Sequence, residues 1–149
     1  MAPKTRLLIT IDGPAGAGKT TVSKLLAQEL GYRYLDTGAL YRAVALAARA
    51  AAVQPDDDQG LGEICGGLTL RLVDNRLFSG GEDISQQIRS PEITRLASAV
   101  SARPVVRKAL LNFQRDMGQD RGLVAEGRDM GTVVFPDADL KFFLDATVR

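Results

Sequence analysis

Residues 13–20 read Gly-Pro-Ala-Gly-Ala-Gly-Lys-Thr, a glycine-rich octet that ends in a cation and a hydroxyl. The spacing matches G-x-x-x-x-G-K-[ST], the pattern of a phosphate-binding loop. An apolar run, Leu7-Leu8-Ile9-Thr10-Ile11, precedes it and a helical pattern follows. That is the strand–loop–helix setting such a loop requires. Glycines at 13, 16 and 18 let the backbone curl and approach a ligand closely, with no Cβ in the way. Successive N–H groups then form an anion-binding nest, and a helix starting near Lys19 adds the positive end of its dipole. Lys19 can reach the β- and γ-phosphates, and the Thr20 hydroxyl can ligate Mg²⁺. The phosphate-binding stretch is therefore Gly13, Pro14, Ala15, Gly16, Ala17, Gly18, Lys19, Thr20 and Thr21. It implies a nucleoside triphosphate with Mg²⁺ and leaves the acceptor unnamed.

The acceptor chemistry is expected just past the other strand ends. Asp36-Thr37-Gly38-Ala39-Leu40-Tyr41-Arg42 follows one apolar stretch, and Glu126-Gly127-Arg128-Asp129-Met130-Gly131 follows another. Arg42 and Arg128 can each grip phosphate oxygens with a planar fork. Two such grips beside a phosphate loop suggest an acceptor that itself carries phosphate. The chain has no histidine. Phosphoryl transfer to an acceptor that is already an anion needs no imidazole base, so the two facts agree. Glu126, at a buried strand end, reads equally well as the holder of a Mg²⁺-bound water and as half of an ion pair facing a helix. Cys65 is the one cysteine. With no histidine or second cysteine to activate it or share a metal, it reads as a packing thiol.

These residues need a frame to hold them. Val22, Leu25, Leu26 and Leu30 recur at helical spacing, and Gly31 ends that helix. Tyr32–Leu35 is a short strand. A second helix runs from about Ala39 to Ala52, with Leu40, Val44, Ala47 and Ala51 on one face. Pro55-Asp56-Asp57-Asp58 reads as a solvated acidic loop. Leu68–Val73 alternates, Asp74-Asn75 turns, and Arg76–Ser79 returns before Gly80-Gly81, the signature of a hairpin or meander. Pro91 opens a helix through Val100, and Pro104 opens another to about Met117. Leu123-Val124-Ala125 and Leu140–Leu144 are further strands. The pattern predicts an α/β fold, a parallel sheet flanked by helices with a small β-rich insertion and the ligand at the carboxyl ends of the strands.

The chain has 149 residues, 45% hydrophobic and 25% charged, with a formal net charge of +1. Such a length supports one domain with a real core. The charge balance gives no reason to expect nucleic acid or a membrane surface as partner. No run approaches a membrane span, and Met1–Leu8 lacks the pattern of a secretory leader, so the cytoplasm is the expected location.

Four segments together carry a family resemblance. They are Ile9-Thr10-Ile11-Asp12-Gly13-Pro14-Ala15-Gly16-Ala17-Gly18-Lys19, Asp36–Arg42, Gly127-Arg128-Asp129-Met130-Gly131-Thr132-Val133-Val134-Phe135-Pro136-Asp137, and Phe143-Leu144-Asp145-Ala146. They resemble the bacterial cytidylate kinases from about Leu7 to the last residue. The first segment is shared by many kinases, whereas the Gly127–Asp137 run is far more specific. The resemblance implies a nucleoside-monophosphate-kinase-like fold and transfer of the ATP γ-phosphoryl group to CMP or dCMP, with Mg²⁺. It implies that Lys19 and Arg128 act on the transferring group. Tyr41, Arg42 and Arg128 resemble the monophosphate grip, with Thr37 nearby, and Ser98, Arg107 and Asp129 resemble the cytosine readers. The stretch at about 61–93 resembles the family's monophosphate-binding insertion, and a monomer is expected.

In that family the chain continues into an arginine-rich lid, a final strand and a C-terminal helix, whereas this sequence stops at Arg149. The expectation is a truncated kinase domain spanning 1–149 that binds nucleotide and turns over poorly, because a lid excludes water and supplies arginines. Two alternatives stand beside it. One is a nucleotide-binding fragment without catalysis. The other is a different small-molecule P-loop kinase, such as one acting on adenylate or shikimate, against which the Gly127–Asp137 run argues.

Overall fold

The computed structural model describes residues 6–14 and 16–145. Ala15 of the phosphate loop, Ala146 of the last motif and the ends of the chain lie outside the described residues. The chain divides into two compact units. One is made of the residues up to Thr37 and those from Gln114 onward; the other is Gly38–Phe113.

The first unit is built on a four-stranded sheet. Its strands are β1 (Leu8–Asp12), β2 (Arg33–Asp36), β6 (Leu123–Gly127) and β7 (Leu140–Phe143), in the spatial order β2-β6-β1-β7. All the pairings are parallel. Every residue of β1 is buried, because β1 has β6 on one side and β7 on the other. Its near-continuous apolar sequence is what a parallel strand covered on both faces needs. The register brings Asp12 opposite Gly127 and Phe143, and Asp36 opposite Glu126. The carboxyl ends of the four strands thus finish level, and the sequence motifs lie there.

Helix α1 (Lys19–Leu30) connects β1 to β2 and ends at Gly31, which takes φ +68°. The helix forms as expected, but on another face. Val22, Leu25 and Leu30 are exposed, and Ser23 and Ala27 are the buried positions. Small side chains let the helix approach the sheet closely, so Ala27 joins Ile9, Ile11, Tyr34 and Val124 in one apolar cluster. Burying Ile9, Ile11 and Val124 contributes about 1.5–3 kcal/mol each. Leu140, Phe142 and Phe143 of β7, one of the two edge strands of the sheet among the described residues, are exposed.

The second unit carries α2 (Thr37–Ala50, its first residue belonging to the first unit), α3 (Asp58–Gly67), α4 (Pro91–Ser101) and most of α5 (Pro104–Gly118). It also carries a separate antiparallel sheet of β3 (Leu70–Val73), β4 (Arg76–Ser79) and β5 (Glu82–Asp83). The β3–β4 turn is Asp74-Asn75, with φ +50° and +61°. Positive φ at both central residues matches the right-handed twist of the strands, and Asp and Asn tolerate it best after glycine. Ser90 caps α4 by accepting from the Ile93 amide at 3.2 Å, with Pro91 in the first turn.

Helix α3 is the element that the sequence pattern hides. Its residues fall partly in the acidic stretch read as a loop and partly in the stretch read as the start of the β-rich insertion. Asp57 is its N-cap and accepts from the Gly60 amide at 2.9 Å. Asp58 in the first turn complements the helix dipole and pairs with Arg103 at 2.8 Å. Among the described residues no helix is long and apolar enough to cross a membrane.

Candidate functional site

The glycine-rich loop joins β1 to α1 through three glycines in the left-handed half of conformational space: Gly13 at φ +151°, Gly16 at +80° and Gly18 at +88°. Gly13 is also a close-approach site, since a Cβ built on it would lie 2.1 Å from the Leu144 carbonyl oxygen. Gly18 caps α1 with no side-chain hydrogen bond, and the first turn holds no acidic residue. Helices α3 and α4 differ, each having a side-chain cap and a first-turn carboxylate. The amino end of α1 is thus left to backbone N–H groups and a dipole, a combination suited to an anion. The Lys19 ammonium bends back over the loop, donating to the carbonyls of Gly13 at 2.6 Å and Pro14 at 3.1 Å. Two of its three protons brace the loop, which sets the charge at the loop mouth.

One helical position later, the Thr20 hydroxyl donates to Glu126 Oε1 at 2.8 Å. Glu126 is buried, and its Oε2 has no hydrogen-bond partner among the described residues. A buried carboxylate oxygen without a donor is costly unless a cation or an ordered water meets it. The Thr20 proton is committed to Glu126, so the hydroxyl's lone pairs remain for a cation. Among the described residues no group of three or more acidic, histidine or cysteine side chains is disposed to hold a metal. Mg²⁺ needs no such cage, since it is ordinarily held by one or two protein oxygens plus substrate phosphates and waters. Thr20 and Glu126 therefore fit the ion that the loop sequence implies. The Tyr34 phenol lies in the same region. Burial first, then the charges of Asp36 and Glu126, hold its pKa far above the ordinary value.

The Glu126–Gly131 segment is held from several directions. Thr37, at the start of α2, donates from its hydroxyl to the Glu126 carbonyl at 3.0 Å. Gly127 leaves no room for a side chain, because a Cβ there would come within 2.8 Å of both Thr37 Oγ1 and Met130 Cγ. A five-residue π turn, Met130–Val134, follows Asp129. Its first amides are taken by the buried Asp12 carboxylate: Met130 N–H donates to Oδ1 and Gly131 N–H to Oδ2, each at 2.8 Å. Gly131 sits against β1, where a Cβ would come within 2.8 Å of Thr10 Oγ1. Between these fixed points Arg128 is exposed and Asp129 half-buried.

In the second unit Tyr41 and Arg42 are half-buried on α2. Arg107, on α5, has its guanidinium 6.0 Å from the Tyr41 ring centroid and donates to the Ser101 carbonyl at 3.2 Å. The structure thus brings together two of the residues that the resemblance assigned to the monophosphate grip and the base. Ser98 is exposed on α4, and its hydroxyl bonds back to the Thr94 carbonyl at 3.4 Å.

The residue that sequence reasoning left without a role is Asp12. Its signal was present, because a carboxylate ending an otherwise apolar, fully covered strand must find donors. Cys65 is half-buried, and burial raises its pKa, in keeping with a packing thiol.

Comparison with known proteins bears on all of these residues together. A family profile described as cytidylate kinase matches residues 9–149. A cytidylate kinase of Geobacter sulfurreducens is 52% identical over 99% of this chain, which covers 65% of that protein. One from Mycobacterium leprae is 51% identical over 96% of this chain and 65% of its own length. A bifunctional pantoate ligase/cytidylate kinase of Parasynechococcus marenigrum is 51% identical over 95% of this chain and 29% of its own. The chain thus spans slightly less than two thirds of the length of the single-activity relatives. With a matching profile over most of its residues and relatives at about half identity, the chain belongs to the cytidylate kinase family.

Proposed function

We propose that the protein transfers the γ-phosphoryl group of ATP to CMP or dCMP, giving CDP or dCDP and ADP. The observation that carries this reading is the pairing of two features at level strand ends. Lys19 and the Thr20–Glu126 hydrogen bond stand at the ends of β1 and β6, and the braced segment bearing Arg128 and Asp129 directly follows β6.

The attacking atom is a phosphate oxygen of the monophosphate, already negative, so no general base is required. Catalysis then rests on positioning and on neutralising charge. The loop amides and Lys19 hold the triphosphate and offset charge on the transferring group. Thr20 and Glu126 would hold Mg²⁺, which when bound supplies the main divalent neutralisation of the phosphates. In this reading Arg42 and Arg128 each grip the acceptor phosphate with a bidentate fork, and Tyr41 and Thr37 supply further hydroxyls to it.

Cytosine presents an amino donor at N4 and acceptors at N3 and O2. Asp129 accepts from the amino group, while Arg107 and Ser98 donate to the ring acceptors. Uracil would set an acceptor against Asp129 and a donor against Arg107. Each mismatch costs about 1–3 kcal/mol, or one to two powers of ten in selectivity. The stretch at about 61–93 serves as the monophosphate-binding insertion within one kinase domain. The protein works as a monomer in the cytoplasm, where its soluble substrates are.

Calorimetric titration with CMP, UMP and AMP tests the reading, followed by a coupled assay for ADP release. A clear preference for CMP is the expected result. Equal binding of all three would overturn the cytosine assignments of Asp129 and Arg107.

A further inference from the structure

We propose that Asp12 is a positioning residue for acceptor recognition, fixing the segment that presents Arg128 and Asp129; this rests on the function proposed above. The residue sits where three elements meet. It ends β1, is bonded directly to Gly13 of the phosphate loop, and through its carbonyl accepts from Leu144 N–H at 2.7 Å. Its side chain reaches residues 118 and 119 positions away, each oxygen accepting one amide at 2.8 Å.

An acidic residue next to a phosphate loop invites a reading as a metal ligand. The geometry points elsewhere, because both carboxylate oxygens are turned to the Met130 and Gly131 amides in a site where Asp12 is only 7% exposed. Charge-assisted bonds of this kind are short and roughly twice as strong as neutral ones. They pin the first turn of Met130–Val134, and the Asp129 carbonyl accepts from Val133 N–H at 2.9 Å in the same turn. Upstream, Gly127 is wedged against Thr37. Arg128 and Asp129 therefore lie on a span held at both ends, and Asp12 supplies the downstream hold. The same aspartate joins that span to the phosphate loop, so the two sets of groups share one rigid reference.

Asp12→Asn tests this in the full chain. It keeps the shape but turns an NH₂ toward one of the two amides, donor against donor. The readouts are CMP and UMP affinity by calorimetry, amide hydrogen exchange at Met130 and Gly131, and circular dichroism to establish folding. CMP binding is expected to weaken about 10- to 100-fold, with the CMP-to-UMP ratio falling toward one. Exchange at Met130 and Gly131 is expected to speed by at least about tenfold relative to Ile9 and Val124.

A folded variant that melts lower yet keeps the wild-type CMP-to-UMP ratio would overturn the proposal, since a purely structural role predicts that outcome. Unchanged exchange at both amides would overturn it too. Asp12→Glu keeps the charge and sets it one methylene further out; it serves if Asp12→Asn does not fold, and the same losses are expected. Wild-type protein without a preference for CMP would refute the function proposed above, and the exchange result would then decide the role of Asp12 alone.

Discussion

Replacing Gly13 by alanine isolates one close approach on which the glycine-rich loop depends. The new Cβ would stand 2.1 Å from the Leu144 carbonyl oxygen, whereas ordinary contact begins at 3.4 Å. The two backbones would have to separate by the difference, about 1.3 Å. Leu144 N–H donates to the Asp12 carbonyl at 2.7 Å, and a shift of that size stretches the bond to roughly 4.0 Å, beyond useful range. Losing it removes about 0.5–1.5 kcal/mol. Placing a side chain at φ +151° adds strain of about 1–3 kcal/mol. Reduced freedom of the unfolded chain returns about 0.4–1 kcal/mol. The net expectation is a destabilisation of about 0.5–4 kcal/mol, or roughly 2–12 °C in melting temperature at this chain length.

Gly16→Ala is the matched control. Its φ is +80°, but a Cβ there meets nothing within 4 Å, so it carries the strain without the clash. Thermal and urea unfolding followed by circular dichroism would measure both variants, and ATP titration would report on the loop. Gly13→Ala should be the less stable of the two. Equal melting temperatures for both would refute the packing argument.

Other consequences are equally open to test. The folded-state pKa of Tyr34 is raised, so its contribution to stability is complete below about pH 10 and lost as pH rises further. Urea unfolding between pH 9 and 11 should show an alkaline decline of about 1.4 kcal/mol in all, most of it above pH 10, that Tyr34→Phe removes. Asp57→Ala deletes the cap of α3 and should lower stability by about 1 kcal/mol in the same assay, with Asp57→Asn nearly neutral. Glu126→Ala strips Thr20 of its acceptor, and the Mg²⁺ concentration that half-saturates nucleotide binding should rise about 10- to 100-fold. Unaltered Mg²⁺ dependence would separate Glu126 from the metal. Cys65, whose pKa burial raises, should react with iodoacetamide more slowly than free cysteine at pH 8, and unfolding should abolish the difference.

Much of the molecule was legible because its determinants lie within a turn or two of one another. The Gly13–Thr20 loop, the Asp74-Asn75 turn and the Ser90-Pro91 start of α4 are chemistry between near neighbours, and composition and spacing state it directly. The parallel sheet followed from apolar runs alternating with helical ones. Helix α3 escaped notice because its cap lies among three consecutive aspartates that also suit a solvated loop.

What the tertiary structure alone decided depends on residues far apart in the chain. Periodicity marks α1 as a helix, but the face it buries is chosen by how closely Ser23 and Ala27 let it approach the sheet. The order β2-β6-β1-β7 sets β6 between two strands that are consecutive in sequence, and that insertion brings Glu126 to Thr20. Asp12 was visible from the first as an acidic residue at a strand end. Its partners, more than a hundred residues away, depend on strand register, which no local pattern encodes.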